Sequence, residues 1–591
     1  MITRLPAVYP IFLKSPPMKI YSVVAFGEEK SPIEEARPII DEKIAKQQPI
    51  PLLLPQGNEL ASISRLPNEV LGLIFVFASA TSQGRLSMQF NFTHVSQRWR
   101  FVALGTPEIW CSIPFHNREW APVVLERSKS ADLLVNENLY LASPDSPSVV
   151  LIKEVLKNHT PRIRELAFIQ ISSAIFFLLL GDMAPLSLRL RSLCLQSSEH
   201  ENVPFFSMEL LMNPEVLQNL DLERVDVDWI QLPLTTLVSL KIHCPLNRPS
   251  WTDFITALRG LPILENLDLY DSLPVASEVH QRPLNPVKLT RLRNLSLHSL
   301  ADINEVLNVL SFIVVRQTTR LNIGADMTDS QIPASVFPNL APSLSAFISE
   351  MTSEHNEKLF YRVVRVSCTN GMLHLLAWRE SCEVDTFPVD QEDLRLSFFF
   401  RASDSGAESL QGVLPSPPVL GLVTLELDID VTVEQKILVA TFGNLPHLRN
   451  VTVTGDGTNN FLLALLHKPD DYNTCASAYY STFFPALRSI EFRDVVFTPN
   501  IVPPYSLESC LMERWERNAE ISKLVLSNCF SLYEPDVRRL QEIVVDVDWD
   551  GLEQEYQLEE DYDCDYDYDY TYTYTYDYDY TYTYTYTYNY D

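Results

Sequence analysis

Glycine is scarce in this chain, at 16 residues in 591. Loops that cradle phosphate groups depend on closely spaced glycines, so this scarcity argues against a catalytic domain built on such loops. No GxxxxGK[ST], GxSxG or HExxH pattern occurs, and no other arrangement of residues points to catalysis. The eleven histidines are dispersed. Long apolar runs are missing too. The longest, Ala174 to Leu180 (AIFFLLL), falls well short of the roughly 18–20 residues that a membrane span needs. The opening MITRLPAVYPIFLKSPP is interrupted at Pro10 and offers no small-residue cleavage site, so no signal peptide is expected.

Positive charge is also short. Lys and Arg number 46 against 76 Asp and Glu, a net charge of −30. After Arg539 no Lys or Arg follows, yet 16 Asp and Glu do. With no basic stripe to neutralise phosphates, no nucleic-acid partner is expected, and no membrane partner either. Nine cysteines are scattered, none as CxxC, which fits reduced thiols in the cytoplasm or nucleus. His243-Cys244 reads as the end of a strand rather than a thiol site. Asp226/Asp228 and Asp428/Asp430 read as solvated strand ends rather than metal ligands, and no cofactor is expected.

Proline, at 40 residues, marks a chain of frequent turns. Residues 1–60 carry nine prolines and read as a poorly ordered leader. Residues 62–112 read as a small helical unit. Pro67 and Glu69 suit a first helical turn, and Val70, Ile74 and Phe77 recur at helical spacing, with Leu71 and Leu73 widening the stripe. A linker over 81–92 leads to a second helix, His94 to Leu104, capped by Thr93 and stopped by Gly105 and Pro107. About fifty residues make a marginal core, so some of this apolar surface needs a partner or the next domain.

Residues 113–160 read as a linker or cap. Beyond them a template L-x-x-L-x-L repeats: IRELAF (from 163), LRSLCL (190), LQNLDL (217), LVSLKI (237), LENLDL (264), LRNLSL (292) and TTRLNI (318). Four later copies start at 422, 448, 487 and 521. The first seven are 20 to 28 residues apart, a leucine-rich-repeat period. Each L-x-L predicts a short strand with alternate side chains facing core and solvent. WTDFITALRG (251–260) and NEVLNVLSFIVV (304–315) read as returning helices. The expected fold is α/β: the helical module, then an irregular solenoid over 161–540 with parallel short strands and a helical or irregular convex side. Its concave face would display Asn219, Asp221, Lys241, Asn266, Asp268, Asn294, Ser296, Glu426, Thr452 and Glu491.

Around 330–420 the period breaks. FYRVVRVSC (360–368) and MLHLLAWRES (372–381) flank a hairpin-prone Asn370-Gly371, and LRLSFFF (394–400) follows. This is either an inserted sheet or a set of degenerate repeats. Residues 541–591 read as an acidic low-complexity tail expected to be disordered. Fourteen of the chain's 25 tyrosines lie in 561–591, in a Tyr-alternating run that reads as a simple-sequence expansion.

LPNEVLGLIF followed by VSQRWRFVALGTPEIW resembles the F-box. TPEIWCSI and VLERSKSADLLV (124–135) are similar to the fungal, mushroom-type F-box proteins with irregular leucine-rich repeats. The resemblance implies a non-catalytic substrate receptor of an SCF-type ubiquitin ligase. A Skp-type adaptor, and through it a cullin scaffold, would bind Leu66, Pro67, Val70, Leu71, Ile74, Phe75, Val95, Trp99 and Trp110. The repeats would hold an unknown protein substrate. The other reading is a leucine-rich-repeat interaction scaffold with a decayed or repurposed F-box.

Overall fold

Leucine spacing and capping residues together shape both units of this chain. The computed structural model describes residues 62–81, 87–181, 189–211, 216–232, 234–275, 286–326, 347, 361–369, 372–379, 394–401, 419–429, 434–467, 482–498 and 502–555. The expected leader (1–60), the Asn370-Gly371 pair, Asp430 and the Tyr-rich run fall outside them. The fold is mixed α/β with mostly parallel strands, in two units: Met1–Glu199 with Glu209–Val216, and His200–Met208 with Leu217–Asp591. Among the described residues no helix is long and apolar enough to cross a membrane.

The first unit opens with helices α1 (Asn68–Thr81), α2 (Ser87–Val95) and α3 (Gln97–Gly105). The single helix expected over His94–Leu104 is thus two. Ser96 breaks it: its backbone is extended and its hydroxyl oxygen accepts the Trp99 N–H at 3.1 Å, a helix N-cap. Thr93 lies buried inside α2 rather than capping α3. The expected linker over 81–92 is therefore helical from Ser87 onward. After a 3-10 turn (Pro107–Trp110) come α4 (Trp120–Ser128), β1 (Leu133–Asn138), α5 (Pro147–His159), β2 (Ile163–Ile171), α6 (Ser173–Phe176) and β3 (Ser192–Ser197). β1 pairs parallel with β2, and β2 with β3. The segment 113–160, read as linker or cap, thus supplies a full strand of the sheet.

In the second unit β4 (Asn219–Glu223), β5 (Ser239–His243), β6 (Asn266–Tyr270), β7 (Asn294–Ser299) and β8 (Arg320–Asp326) run parallel in chain order. Leu220, Leu240, Leu267, Leu295 and Leu321 stand opposite one another in register, and so do Leu222, Ile242, Leu269, Leu297 and Ile323. All ten are buried. Helices α7 (Trp251–Arg259) and α8 (Ile303–Phe312) occur where returning helices are expected, N-capped by Ser250 and Asp302. α8 stops at Phe312. Ile313-Val314 instead pairs with Val287-Lys288.

The irregular region resolves into β9 (Val363–Thr369), β10 (Met372–Trp378) and β11 (Leu394–Arg401). They enter the same sheet in reverse order, β8-β11-β10-β9, ahead of β12 (Thr424–Ile429). β11 is parallel to β8 and β9 is parallel to β12, so β10 alone runs opposite. The buried rows continue through it: Leu321 faces Leu396, and Ile323 faces Phe398. Strands β13 (Asn450–Thr454), β14 (Ser489–Arg493), β15 (Lys523–Ser527) and β16 (Asp546–Trp549) complete the sheet. α9 (Gln435–Phe442), α10 (Thr458–Leu466), α11 (Pro504–Glu516) and α12 (Glu534–Ile543) lie between them in the chain. The sheet passes residue 540, where the tail is expected to begin, because β16 pairs with β15 through Leu524↔Val547.

With so few glycines, other residues take the left-handed turn that closes many repeat strands. Arg224, Cys244, Asp271, Asp494 and Asn528 each follow a strand with φ between 49° and 54°. The first four donate their N–H to a carbonyl of the neighbouring strand (His243, Tyr270, His298 and Ser527), which holds this disfavoured conformation in place. Burial pushes the Cys244 thiol up to about 11. Asp226 corrects the picture of a solvated strand end. It is buried and accepts the N–H groups of Leu246 and Asn247 at 2.7 and 3.1 Å. Asp228 caps a 3-10 turn through the Ile230 N–H.

Arg514 on α11 is buried and meets three carbonyls, those of Ala519, Phe483 and Phe484, at 3.1, 3.1 and 2.9 Å. It ties α11 to the loop that leads into β14. Arg514→Leu strands all three acceptors and is expected to lower unfolding stability by about 3 kcal/mol or more in a urea titration. Arg514→Lys, which keeps a donor, is expected to recover part of that loss. A loss below about 1 kcal/mol for the leucine variant would show that the carbonyls find other donors.

Candidate functional site

Two surfaces stand out, one in each unit. The first is on the helical module. Helix α1 is apolar almost all round (NEVLGLIFVFASAT), so it cannot bury every side chain against one core. Leu71 and Phe75 point inward and join Phe92, Val102, Ala103, Ile109, Trp110 and Val124. Phe75 stacks on Phe92 with ring centroids 4.4 Å apart, and Trp99 tilts against it at 4.8 Å. The Trp110 indole N–H donates to the Ala103 carbonyl at 2.9 Å, and the Arg127 guanidinium of α4 lies 4.5 Å from its ring centroid. The Arg98 Nε donates to Asn68 Oδ1 at 2.9 Å and its terminal nitrogen to the Leu66 carbonyl, clamping α3 to the start of α1.

The opposite side of α1 is left open. Val70, Leu73, Ile74 and Phe77 follow i, i+3, i+4, i+7 spacing and all are exposed, Leu73 by 69% and Phe77 by 75%. On α3 Phe101 is 71% exposed. The nine residues expected to face an adaptor therefore divide. Pro67, Val70, Ile74 and Val95 are exposed, and Leu66 and Trp99 are half-buried. Contrary to expectation, Leu71, Phe75 and Trp110 lie in the chain's own core, packed with Phe92 and with Val124 and Arg127 of α4. They brace the surface and do not form it. Leu73, Phe77 and Phe101 were not among the nine, although the i, i+3, i+4, i+7 spacing signals the first two.

The second surface is the face of the second unit's sheet opposite the buried leucines. Strand register lines up its side chains in rows. One row runs Asp221, Lys241, Asp268, Ser296, Asn322. Farther along, the same row carries Arg365, Glu426, Thr452 and Glu491. The ten expected face residues all lie on this side. Asn219 and Asn294 are exposed, and Asp221, Lys241, Asn266, Asp268, Ser296 and Glu491 are half-buried. Glu426 and Thr452 are only 5% exposed and so are not open to a partner as expected. Arg365 and Arg493 close over Glu426 at 2.7 and 3.7 Å, and Thr452 donates to Glu491 at 3.1 Å. Burial pushes the Glu426 carboxyl up, and the two arginines oppose the shift.

The next row, two residues along each strand, was not singled out from the sequence. It runs Glu223, His243, Tyr270, His298, Gly324, Phe399, His374, Ser367, Asp428. Tyr270 lies between His243 and His298 at centroid distances of 5.6 and 5.7 Å, and His374 meets Phe399 edge-on at 4.8 Å. The His298 ring leans over Gly324. A Cβ on that glycine would come within 2.5 Å of His298 Nδ1, so the close approach requires glycine. His243 Nε2 sits 3.1 Å from Asp268 Oδ1. Burial raises the Asp268 carboxyl, but His243, Ser296 and Lys241 together outweigh this and hold it below its ordinary value.

Among the described residues no group of three or more His, Cys, Asp or Glu could hold a metal ion. No protein-family profile matches the chain, and no curated protein matches it.

Burial also pushes the His298 imidazole below its ordinary value, with Asp268 opposing and His243 reinforcing the shift. The unfolded chain then binds the proton that the folded chain refuses. Stability tied to His298 is therefore complete above the ordinary histidine value of about 6.5 and is lost as pH falls below it. The thermal midpoint is expected to drop between pH 7 and pH 5.5, and less steeply in His298→Gln. Equal slopes in the two proteins would rule out this contribution.

Proposed function

We propose that this protein is the substrate-recognition subunit of an SCF-type ubiquitin ligase. The helical module acts as an F-box that docks a Skp-type adaptor and, through it, a cullin scaffold. The sheet of leucine repeats acts as the solenoid that grips a protein substrate. The chain supplies no chemistry of its own. It raises the effective concentration of a target beside a ubiquitin-charged enzyme.

The observation that carries this reading is the outward stripe Val70, Leu73, Ile74 and Phe77, held rigid from behind by the Leu71–Phe75–Trp110 core. Exposed apolar residues at this spacing on a braced helix fit a groove on another polypeptide. The apolar residues left over in so small a module, and the similarity of LPNEVLGLIF and VSQRWRFVALGTPEIW to the F-box, point the same way.

The test separates surface from core. Ile74→Asp and Phe77→Asp are expected to weaken capture of a Skp-type adaptor by the full chain more than about tenfold, with little change in thermal midpoint. Leu71→Ala is expected to cost about 2–5 kcal/mol of module stability. Trp99→Ala is expected to reduce both capture and stability, because its ring packs on Phe75 and Phe92. Undiminished capture by both aspartate variants, or no capture by the wild-type chain, would overturn the ligase reading and leave a repeat scaffold with a repurposed module.

A further inference from the structure

The outermost strands of the two units are finished differently. In the first unit the core side chains of β1, Leu133 and Val135, are completely buried, and the Leu134 N–H donates to the Cys111 carbonyl at 3.0 Å. In the second unit β16 is left open. Val547 faces Leu524 and Trp549 faces Leu526 across the sheet. Both leucines are completely buried, but Val547 and Trp549 are only half-buried, and Val545 just before the strand is 94% exposed. Asp546 and Asp550 donate their N–H groups to the carbonyls of Ser522 and Leu526 at 3.2 and 3.3 Å. Successive N–H groups of a strand point to opposite edges, so those of Val547 and Trp549 point away from β15. Among the described residues no strand pairs with that edge. An open edge beside a half-covered apolar row is a template for one more strand.

The chain itself carries a segment that fits. Residues 571–576 read TYTYTY. An aromatic alternating with a β-branched residue is a strand pattern, with Tyr572, Tyr574 and Tyr576 on one face and Thr571, Thr573 and Thr575 on the other. By itself such a run has no core to bury against, and β16 supplies one. Beside β16 the tyrosines extend the row of Val545, Val547 and Trp549. The threonines then lie next to Asp546 and Asp548, whose carboxylates accept hydrogen bonds from hydroxyl groups. The Asp-Tyr stretches on either side, 561–570 and 577–580, would set further carboxylates against those two aspartates. Spacing agrees with this choice. Thr571 follows Asp546, the first residue of β16, by 25 residues, and Asp546 follows Lys523, the first residue of β15, by 23. The 21 residues between Trp549 and Thr571 exceed the dozen or so that a parallel crossover needs.

We propose that residues 571–576 pair with the open edge of β16 in the same chain, as a parallel strand that caps the sheet and covers Val547 and Trp549. The cap closes an edge that would otherwise be available to a second copy of the chain. It is independent of adaptor docking, which takes place on the helical module.

The test is hydrogen–deuterium exchange of the full chain, read by mass spectrometry on peptic peptides that cover 544–550 and 571–576, with a peptide from β5 as the reference for an intact fold. Both peptides are expected to be protected in the wild type. Tyr572→Asp combined with Tyr574→Asp places two charges on the apolar face and is expected to speed exchange of both peptides about tenfold or more, with the β5 peptide unchanged. Tyr584→Asp combined with Tyr586→Asp, in the similar run at 581–588, is expected to leave both protected. Protection is also expected to survive an about hundredfold dilution, because pairing within one chain does not depend on concentration. Four results would each overturn the proposal. Free exchange of 571–576 in the wild type, or undiminished protection of 544–550 in the Tyr572/Tyr574 variant, would show that no such pairing forms. Loss of protection in the Tyr584/Tyr586 variant would assign the cap to the later run, and loss on dilution would assign it to a second copy.

Discussion

Everything in the second unit depends on burying matched rows of aliphatic side chains across parallel strands. A five-residue strand presents only two such side chains to the core and cannot hold itself in place. Its leucines become buried only when the strands on either side present leucines at the same height. That condition forces the register Leu220, Leu240, Leu267, Leu295, Leu321 and leaves the alternate residues on the other face at equal heights as well. The rows of functional interest are therefore a by-product of core packing. Tyr270 and His298 meet because Leu269 and Leu297 do.

The same constraint explains the irregular region. A break in the repeat would expose the edges of β8 and β12, with unpaired backbone groups and half-covered leucines. Three longer strands fill the gap and carry the buried rows across it. Their reversed order lets β11 meet β8 and β9 meet β12 in parallel, so the mismatch is confined to β10. Antiparallel strands need only a short turn between them, whereas each parallel pair needs a crossover. A three-strand insert with one reversed strand is a compact way to join two parallel arrays.

Much of this was legible in the sequence, and what was not legible has physical causes. All eleven L-x-x-L-x-L templates carry a strand, because the leucine period records the core directly. The order of β9 to β11 was not readable, since alternation identifies a strand without naming its neighbour. Strand β1 was missed because LLVNEN matches only part of the template, and β16 because DVDW sits among acidic residues that read as tail. On the helical module the existence of α1 was readable and its open side was not. When nearly every residue of a helix is apolar, two overlapping stripes fit helical spacing, and only the contacts with Phe92 and Val124 decide that Leu71 and Phe75 turn inward. Ser96 was the readable signal that separates α2 from α3, overshadowed by Thr93 three residues earlier.

The buried and half-buried charges of the second unit are largely answered from within it. Glu305 is buried and its carboxyl is pushed up by that burial. Ser299 and Arg248 answer it at 2.7 and 2.8 Å, and Arg248 also reaches Asp271. Such groups are matched within the fold and leave little field outside it. Lys241 with Asp221, and Arg493 with Glu491 at 2.6 Å, spend their charge in the same manner. With 46 basic against 76 acidic residues, one-to-one pairing of this kind exhausts the cations first, although Arg248 and Arg493 each answer two carboxylates. The carboxylates left over must face solvent or a partner. At the strand ends, too, Glu223 meets Arg224 at 3.9 Å and Asp428 accepts from the Ser367 hydroxyl at 3.3 Å, so the register that stacks the leucines also brings these carboxylates to partners within the sheet.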